Sequence, residues 1–273
     1  MSTTGTRPEV GHRVDAHGIG TNYLEAGDGP PVVLVHGSGP GVSAYANWRL
    51  TMPDLATEHR VLAPDMAGFG FSDKPGTYDM AGWVHQLDGF VTALGLDRVS
   101  LVGNSFGGGL ALAFAHRWPE RVDRLVLMGS VGVSFPITHG LDAVWGYEPS
   151  IESMRAVLDL FAYDRDLVND ELAELRYRAS VEPGVQEAFA AMFPAPRQRW
   201  VEAMTTPERA IASLPHDTLI IHGRDDQVIP LDNAYRLLQL IERSQLHVFG
   251  RCGHWTQIEH AKAFNALLLA FLR

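Results

Sequence analysis

A mostly parallel, doubly wound α/β sheet with a helical segment inserted into it is the fold that this 273-residue chain predicts. Three observations lead there. Short runs rich in Val, Ile and Leu alternate with stretches of helical period over most of the chain, which is how βαβ units read. Glycine-bearing loops with polar side chains follow those runs directly, where a doubly wound sheet collects its chemistry. The alternation then stops over residues 135–207, where aromatic residues, apolar spacings of helical period and six prolines stand without a strand-like run. The expected division is a core made of residues 1–134 and 208–273, with residues 135–207 as a helical lid.

Taken in order, the first strand is Pro31-Val32-Val33-Leu34-Val35, followed by His36-Gly37-Ser38-Gly39-Pro40-Gly41. A short strand over residues 61–65 leads into the glycine-punctuated loop 68–72. Leu87, Phe90, Val91 and Leu94 have the i, i+3, i+4, i+7 spacing of a helix, and Gly95 then caps it. A strand at 99–102 precedes Gly103, and the all-round apolar stretch 107–115 reads as a helix buried against the sheet. Leu125-Val126-Leu127-Met128 is the next strand. After the insertion come strands at 218–222 and 245–249, with helical spacing at Ala234, Leu237, Leu238, Ile241 and at Phe264, Leu267, Leu268, Phe271.

The segment Gly103-Asn104-Ser105-Phe106-Gly107 fits the nucleophile-elbow pattern G-x-S-x-G between a strand and a helix. Glycines on both sides let the backbones pass in a tight turn, which leaves the serine hydroxyl standing above the sheet. The helix that follows aims its N–H groups and dipole at Ser105, where an oxyanion would form. A serine hydroxyl is a poor nucleophile without a base, and the base needs an orienting acid. Two aspartates, Asp225 and Asp226, sit in the loop after the strand at 218–222; spacing within G-x-x-D-x-x-x-P favours Asp226. His254 follows the last strand and precedes the last helix, while His36, His222, His247 and His260 have ordinary strand or helix positions. Ser105, Asp226, His254 is the chain order of α/β-hydrolases.

The loop after the first of these strands supplies the second oxyanion donor, so the N–H groups of Phe106 and Ser38 are assigned, with Gly37 or Gly39 as the alternative to Ser38. A phosphate loop is excluded because no G-x-x-x-x-G-K-[ST] occurs.

Forty-six per cent hydrophobic and 20% charged residues are globular values. The formal charge of −10 argues against nucleic acid or an anionic membrane as partner, and means that an anionic ligand needs a local cation. No stretch reaches the length of a membrane span, and residues 1–15 lack a signal-peptide core, so a cytoplasmic protein is expected. Cys252 is the single cysteine, which excludes an internal disulfide; a lone cysteine beside a histidine is no metal site. In the lid, Arg176 amid Leu172, Leu175 and Tyr177 is the candidate cation, with Arg178, Arg197 and Arg199 as competitors.

The chain resembles the meta-cleavage product hydrolases of bacterial aromatic degradation, carbon–carbon bond hydrolases within the α/β-hydrolases, and most of all their monocyclic branch. The resemblance rests on HGSGPGVSAYANWR at 36–49, GNSFGGGLAL at 103–112, MGSVG at 128–132, HGRDDQVIP at 222–230 and LHVFGRCGHWTQIEHA at 246–261. It implies that Ser105, Asp226 and His254 form the triad and that Ser38 and Phe106 form the oxyanion hole. It further implies that Asn104, Arg176 and Trp255 contact the dienoate end of the substrate. An apolar pocket of Val131, Trp145, Val201 and Ile229, chosen on resemblance and apolar character, would take the group at C6. The implied substrate is a small anionic 2-hydroxy-6-oxohexa-2,4-dienoate, with no metal or organic cofactor, and a homo-oligomer, dimer or higher, is expected. An esterase or lactonase with the same triad, and a non-catalytic receptor on the same scaffold, are the competing readings.

Overall fold

The computed structural model describes residues 7–273; the first six residues of the stretch read as lacking a signal core lie outside the described residues. Eight strands form one sheet: β1 (His12–Ala16), β2 (Ile19–Ala26), β3 (Pro31–Val35), β4 (Arg60–Pro64), β5 (Val99–Asn104), β6 (Val122–Met128), β7 (Asp217–Gly223) and β8 (Ser244–Phe249). Their order is β1-β2-β4-β3-β5-β6-β7-β8. The pairs β1–β2 and β2–β4 are antiparallel, and every other pair is parallel. The parallel strands β3 and β5 to β7 are the continuous apolar runs that a sheet covered on both faces requires. Side chains alternate between two cores: Val33, Val35, Leu101, Leu125 and Leu127 pack on one face, Val32, Leu34, Val102, Val126 and Met128 on the other.

The antiparallel edge, β1 and β2, has no counterpart among the strands expected from the sequence. HRVDA and IGTNYLEA carry polar residues through most of their length, and β1 is largely exposed. A half-solvated hairpin at a sheet edge gives no apolar run to read.

Helices α1 (Ala44–Trp48), α2 (Met52–Leu55), α3 (Met80–Ala93) and α4 (Phe106–Arg117) belong to the first part of the chain, and α11 (Leu231–Leu240), α12 (Thr256–Glu259) and α13 (Ala261–Leu272) to the last. Leu96 N–H bonds to Val91 O and Gly95 N–H to Thr92 O beyond the end of α3, the paired bonds of a glycine C-cap. Leu110, Ala111, Leu112, Phe114 and Ala115 of α4 are fully buried or nearly so, as its all-round apolar character demands.

Between β6 and β7 there is no strand. Instead α5 (His139–Trp145), α6 (Ile151–Phe161), α7 (Asp170–Ser180), α8 (Val185–Met192), α9 (Gln198–Ala203) and α10 (Glu208–Ala212) follow one another. Prolines interrupt the series: Pro183 lies between α7 and α8, Pro194 and Pro196 between α8 and α9, and Pro207 at the start of α10. Helix α6 buries Met154, Val157, Leu158 and Phe161, the residues its spacing selects, and Ser150 caps it by accepting from Ser153 N–H.

Register brings the working ends of the strands level. Val35 pairs with Gly103, Asn104 with Met128, Met128 with Ile221, and Gly223 with Phe249. The loops that leave β3, β5, β7 and β8 therefore emerge side by side at the carboxyl edge, beneath the helices of the insertion.

Candidate active site

Ser105 sits between β5 and α4 with φ 55° and ψ −114°, a conformation a side-chain-bearing residue adopts at a cost of about 1–3 kcal/mol. Neighbouring bonds hold it there: its N–H donates to Met128 O at 2.8 Å, and its carbonyl accepts from Gly108 and Val131 at 3.0 and 3.2 Å. The flanking glycines are required by space. A Cβ on Gly103 would lie 2.3 Å from Gly107 O, and one on Gly107 would lie 2.3 Å from Val35 O.

His254 lies in the loop after β8, its Nδ1 2.7 Å from Asp226 Oδ2. Asp226 comes from the loop after β7, and its Oδ1 accepts from Val228 N–H at 2.7 Å and Ile229 N–H at 2.9 Å. Burial alone would raise this carboxyl, but the His254 imidazole, the His222 ring and the Ile229 N–H hold it below the ordinary carboxylate value. An ionised Asp226 fixes Nδ1 of His254 as the protonated nitrogen and leaves Nε2 with a free lone pair able to take up a proton. Asp225 turns elsewhere, to Arg224 and to the Cys252 N–H. His222 backs the acid from the other side, 3.4 Å from Asp226 Oδ2, while its Nε2–H donates to Ile229 O at 3.0 Å. Burial lowers the His222 pKa, so it stands neutral there. Gly129 completes the fit, because a Cβ at this position would come within 3.2 Å of the His254 ring. Neither His222 nor Gly129 stood out in the sequence, since each reads as an ordinary strand-end residue.

His254 is held by the insertion as well. Its backbone N–H donates to Phe161 O at 2.7 Å, and the Phe161 ring stacks on both the His254 imidazole and Trp255. Glu259 of α12 binds the N–H groups of Gly253, Tyr163 and Asp164, which ties the histidine loop to the end of α6. Cys252 is buried there, its thiol pushed upward by desolvation and by Glu259, and so is unreactive.

A cavity of about 320 Å³ opens between these groups and the insertion. Ser105, His254, Ser38, Asn104, Arg176 and Trp255 all line it. Ser105 and His254 face it without a direct hydrogen bond between them, as is common before a substrate is bound. The N–H groups of Ser38 and Phe106 donate to no acceptor among the described residues, whereas Gly37 N–H donates to Asn47 Oδ1 at 3.3 Å. Gly39 N–H is equally without an acceptor. Ser38 Oγ accepts from Trp145 Nε1 at 3.0 Å.

Arg176 reaches this cavity from α7, its Nη2 donating to Pro40 O at 3.0 Å. Burial and the neighbouring Arg49 guanidinium bring its pKa down to about 10, so it remains a cation at neutral pH. The competing arginines do not line this cavity. Arg178 pairs with Glu174, Arg197 with Asp142, and Arg199 donates to Pro194 O.

The apolar residues expected at the C6 end need correction. Val131, Trp145, Val201 and Ile229 are all buried and lie off the cavity wall. Leu141, Val144 and Val228 are among the apolar residues that do line it, two of them next-door neighbours of residues first chosen. A one-residue shift along a helix or loop turns a side chain away from the cavity, and apolar character alone does not reveal which neighbour faces inward. Asn47 and Arg49 of the β3 loop region also line the cavity and were not singled out in the sequence.

A model of the alpha/beta hydrolase fold matches residues 30–261. A 2-hydroxy-6-oxo-2,4-heptadienoate hydrolase of Pseudomonas putida is 63% identical over 98% of each chain. A 2-hydroxymuconate semialdehyde hydrolase of Pseudomonas sp. (strain CF600) is 60% identical over 100% of this chain and 97% of its own. Among solved structures, a meta-cleavage product hydrolase from Pseudomonas fluorescens IP01 superposes with a TM-score of 0.96, at 58% identity, over 97% of this chain and 98% of that one. With a mostly parallel eight-stranded sheet, a serine at its elbow and an Asp–His pair beside it, this chain belongs to the α/β-hydrolase fold family and, within it, to the meta-cleavage product hydrolases.

Proposed function

We propose that the chain hydrolyses the C5–C6 bond of 2-hydroxy-6-oxohexa-2,4-dienoates carrying hydrogen or a small alkyl group at C6. The carrying observation is the meeting, in one cavity, of Ser105 and the Asp226-backed His254 with a cation, Arg176, that has no carboxylate partner among the described residues. An esterase needs the first two; only an anionic substrate needs the third.

Direct cleavage of C5–C6 in the enol form would expel an unstabilised vinyl carbanion, so ketonisation comes first. The 2-hydroxyl gives up its proton, C5 gains one, and the double bond moves to C3–C4. His254 Nε2 faces the cavity as the proton carrier, oriented through Nδ1 by Asp226. Ser105, or a water that it positions, then attacks the C6 carbonyl, and the N–H groups of Ser38 and Phe106 hold the oxyanion. Collapse breaks C5–C6, the electron pair passing into the dienolate, which takes up a proton carried by His254; where Ser105 itself attacks, its proton passes to His254 and a water then hydrolyses the acyl-serine ester, freeing the acid and the serine. The products are 2-hydroxypenta-2,4-dienoate and a small acid such as formate or acetate. Arg176 binds the C1 carboxylate throughout, with Asn104 and Trp255 along the dienoate, while Leu141, Val144 and Val228 face the C6 substituent. No step calls for a metal or organic cofactor.

Turnover of a panel of coloured ring-fission products, followed by loss of visible absorbance, tests the reading. Rapid bleaching of the 6-hydrogen and 6-methyl compounds is expected, and Ser105→Ala should slow it about a thousandfold or more while leaving the protein folded. Hydrolysis of p-nitrophenyl esters with no action on any dienoate would establish an esterase instead. The reading also includes a cytoplasmic setting, supported by the lone buried Cys252, and a homo-oligomeric assembly, dimer or higher, which light scattering measures.

A further inference from the structure

A second cavity, of about 570 Å³, adjoins the first between the insertion and the core. The two share Val42, Ala46, Arg49, Leu172, Leu175 and Arg176, so they are chambers of one space with the two arginines at their junction. Charge in the outer chamber opposes that of the whole chain. Five cationic side chains line it against two carboxylates, in a protein whose formal charge is −10.

Pairing sharpens the contrast. Arg7 and Arg178 are spent on Glu182 and Glu174. Arg49, Lys74 and Arg176 instead donate to backbone oxygens: Arg49 Nη1 to Ala46 O at 2.7 Å, Lys74 Nζ to Gly70 O at 3.0 Å, and Arg176 Nη2 to Pro40 O at 3.0 Å. None of the three has a carboxylate at ion-pair distance among the described residues, and Glu9 is the one remaining acid on this wall that does not pair with a cation there. Of these three half-buried cations held by carbonyls, Lys74 is balanced only at longer range by Asp65 and Asp73, while Arg49 and Arg176 are close enough to repel each other, so the junction favours an added anion.

Resting on the function proposed above, we propose that this outer chamber is the access vestibule of the active site, in which Lys74 and Arg49 capture the substrate carboxylate and pass it to Arg176. An anion entering through this chamber passes Lys74 before it reaches the arginines, because Lys74 borders this chamber alone while Arg49 and Arg176 border both. A clustered positive field inside low-dielectric walls raises the rate of anion capture against the repulsion of the acidic surface. The carboxylate end of a bound dienoate then points to the vestibule and the C6 end away from it.

The test is stopped-flow tryptophan fluorescence with hexa-2,4-dienoate, an unreactive carboxylate, and its uncharged amide. In the wild type, association of the anion should slow as salt rises, and association of the amide should not. Lys74→Gln should slow the anion about threefold or more at low salt and flatten its salt dependence, with Lys74→Arg restoring both. Equal association rates and salt slopes in wild type and Lys74→Gln, or an equal loss for anion and amide, would overturn the vestibule. Because the probe is not a substrate, these rates judge the vestibule even if the coloured dienoates prove inert, an outcome that would remove only the proposed reaction.

Discussion

Trp145 Nε1 donates to Ser38 Oγ at 3.0 Å, so a helix of the insertion holds the loop that presents the Ser38 N–H to the cavity. The same indole stacks on Phe193, with ring centroids 4.4 Å apart and planes 10° from parallel. Trp145 thus supports the Ser38 loop and does not itself line the cavity. Trp145→Phe keeps an aromatic ring for the stack and removes the donor. Its expected cost is about 1 kcal/mol in stability, a typical neutral hydrogen bond, with a loss in kcat about tenfold and little change in KM. Urea unfolding beside steady-state kinetics checks both; a change in KM alone would place the indole against the substrate.

Arg176→Gln should weaken kcat/KM for the dienoate by about 2–4 kcal/mol, the value of a charge-assisted pair in a closed site. Hydrolysis of a neutral ester should scarcely change. Comparable losses on both substrates would mean that Arg176 matters through its bond to Pro40 and the packing of α7.

The buried Asp226 carboxylate has a folded pKa below its unfolded value. Its contribution to stability is therefore complete above the unfolded value, about pH 4, and is lost as pH falls through the folded one. Asp226→Asn removes that contribution. The stability gap between wild type and variant should be widest near neutrality and close toward acid. Thermal unfolding from pH 7 down to pH 3 would show it; a gap that is constant with pH would mean that the folded pKa equals the unfolded one, and a gap that widens toward acid would mean that the acid is protonated in the fold. Activity should fall about ten-thousandfold in the variant, since His254 then loses its fixed tautomer.

On the C6 side, Val144→Ala and Val228→Ala enlarge the cavity itself, whereas Val131→Ala and Ile229→Ala open space behind it. The wild type should prefer 6-methyl to 6-phenyl substrate by more than about tenfold, because even added methylenes cost on the order of 1–3 kcal/mol in a filled pocket. The first two variants should narrow that preference. The second two should mainly lower stability, by about 0.5–3 kcal/mol. A narrowing seen only with the second pair would return the pocket to the residues first chosen.

The parallel strands and the elbow could be read from sequence because their physical demands leave few residue choices. A strand covered on both faces must be apolar throughout, and the turn at Ser105 must have glycine where backbones pass within 2.3 Å of a Cβ position. Helix α6 was readable for the same reason, its buried stripe falling every third or fourth residue. What stayed hidden depends on contacts between distant parts of the chain. His222 behind Asp226, Gly129 beside His254 and Trp145 beneath Ser38 gain their roles only when strands lie in register, and nothing in their local sequence separates them from ordinary core residues. Arg49 was hidden in another way. It stands in a quoted motif, but its exposure to the cavity is set by the crossing of α7 over the β3 loop.

The bond from His254 N–H to Phe161 O, with Glu259 holding Tyr163 and Asp164, has a mechanical meaning. One end of the insertion is riveted to the loop that carries His254, so α6 cannot swing aside without dragging the imidazole off Asp226. Any breathing that admits a ligand belongs to α7 and α8, which border the vestibule and share no such rivet with that loop. The insertion then works less like a hinged cover than like a fixed brow with a movable cheek: the amides of Tyr163 and Asp164 should exchange with solvent water slowly, in step with the sheet, and those of α7 and α8 ahead of them.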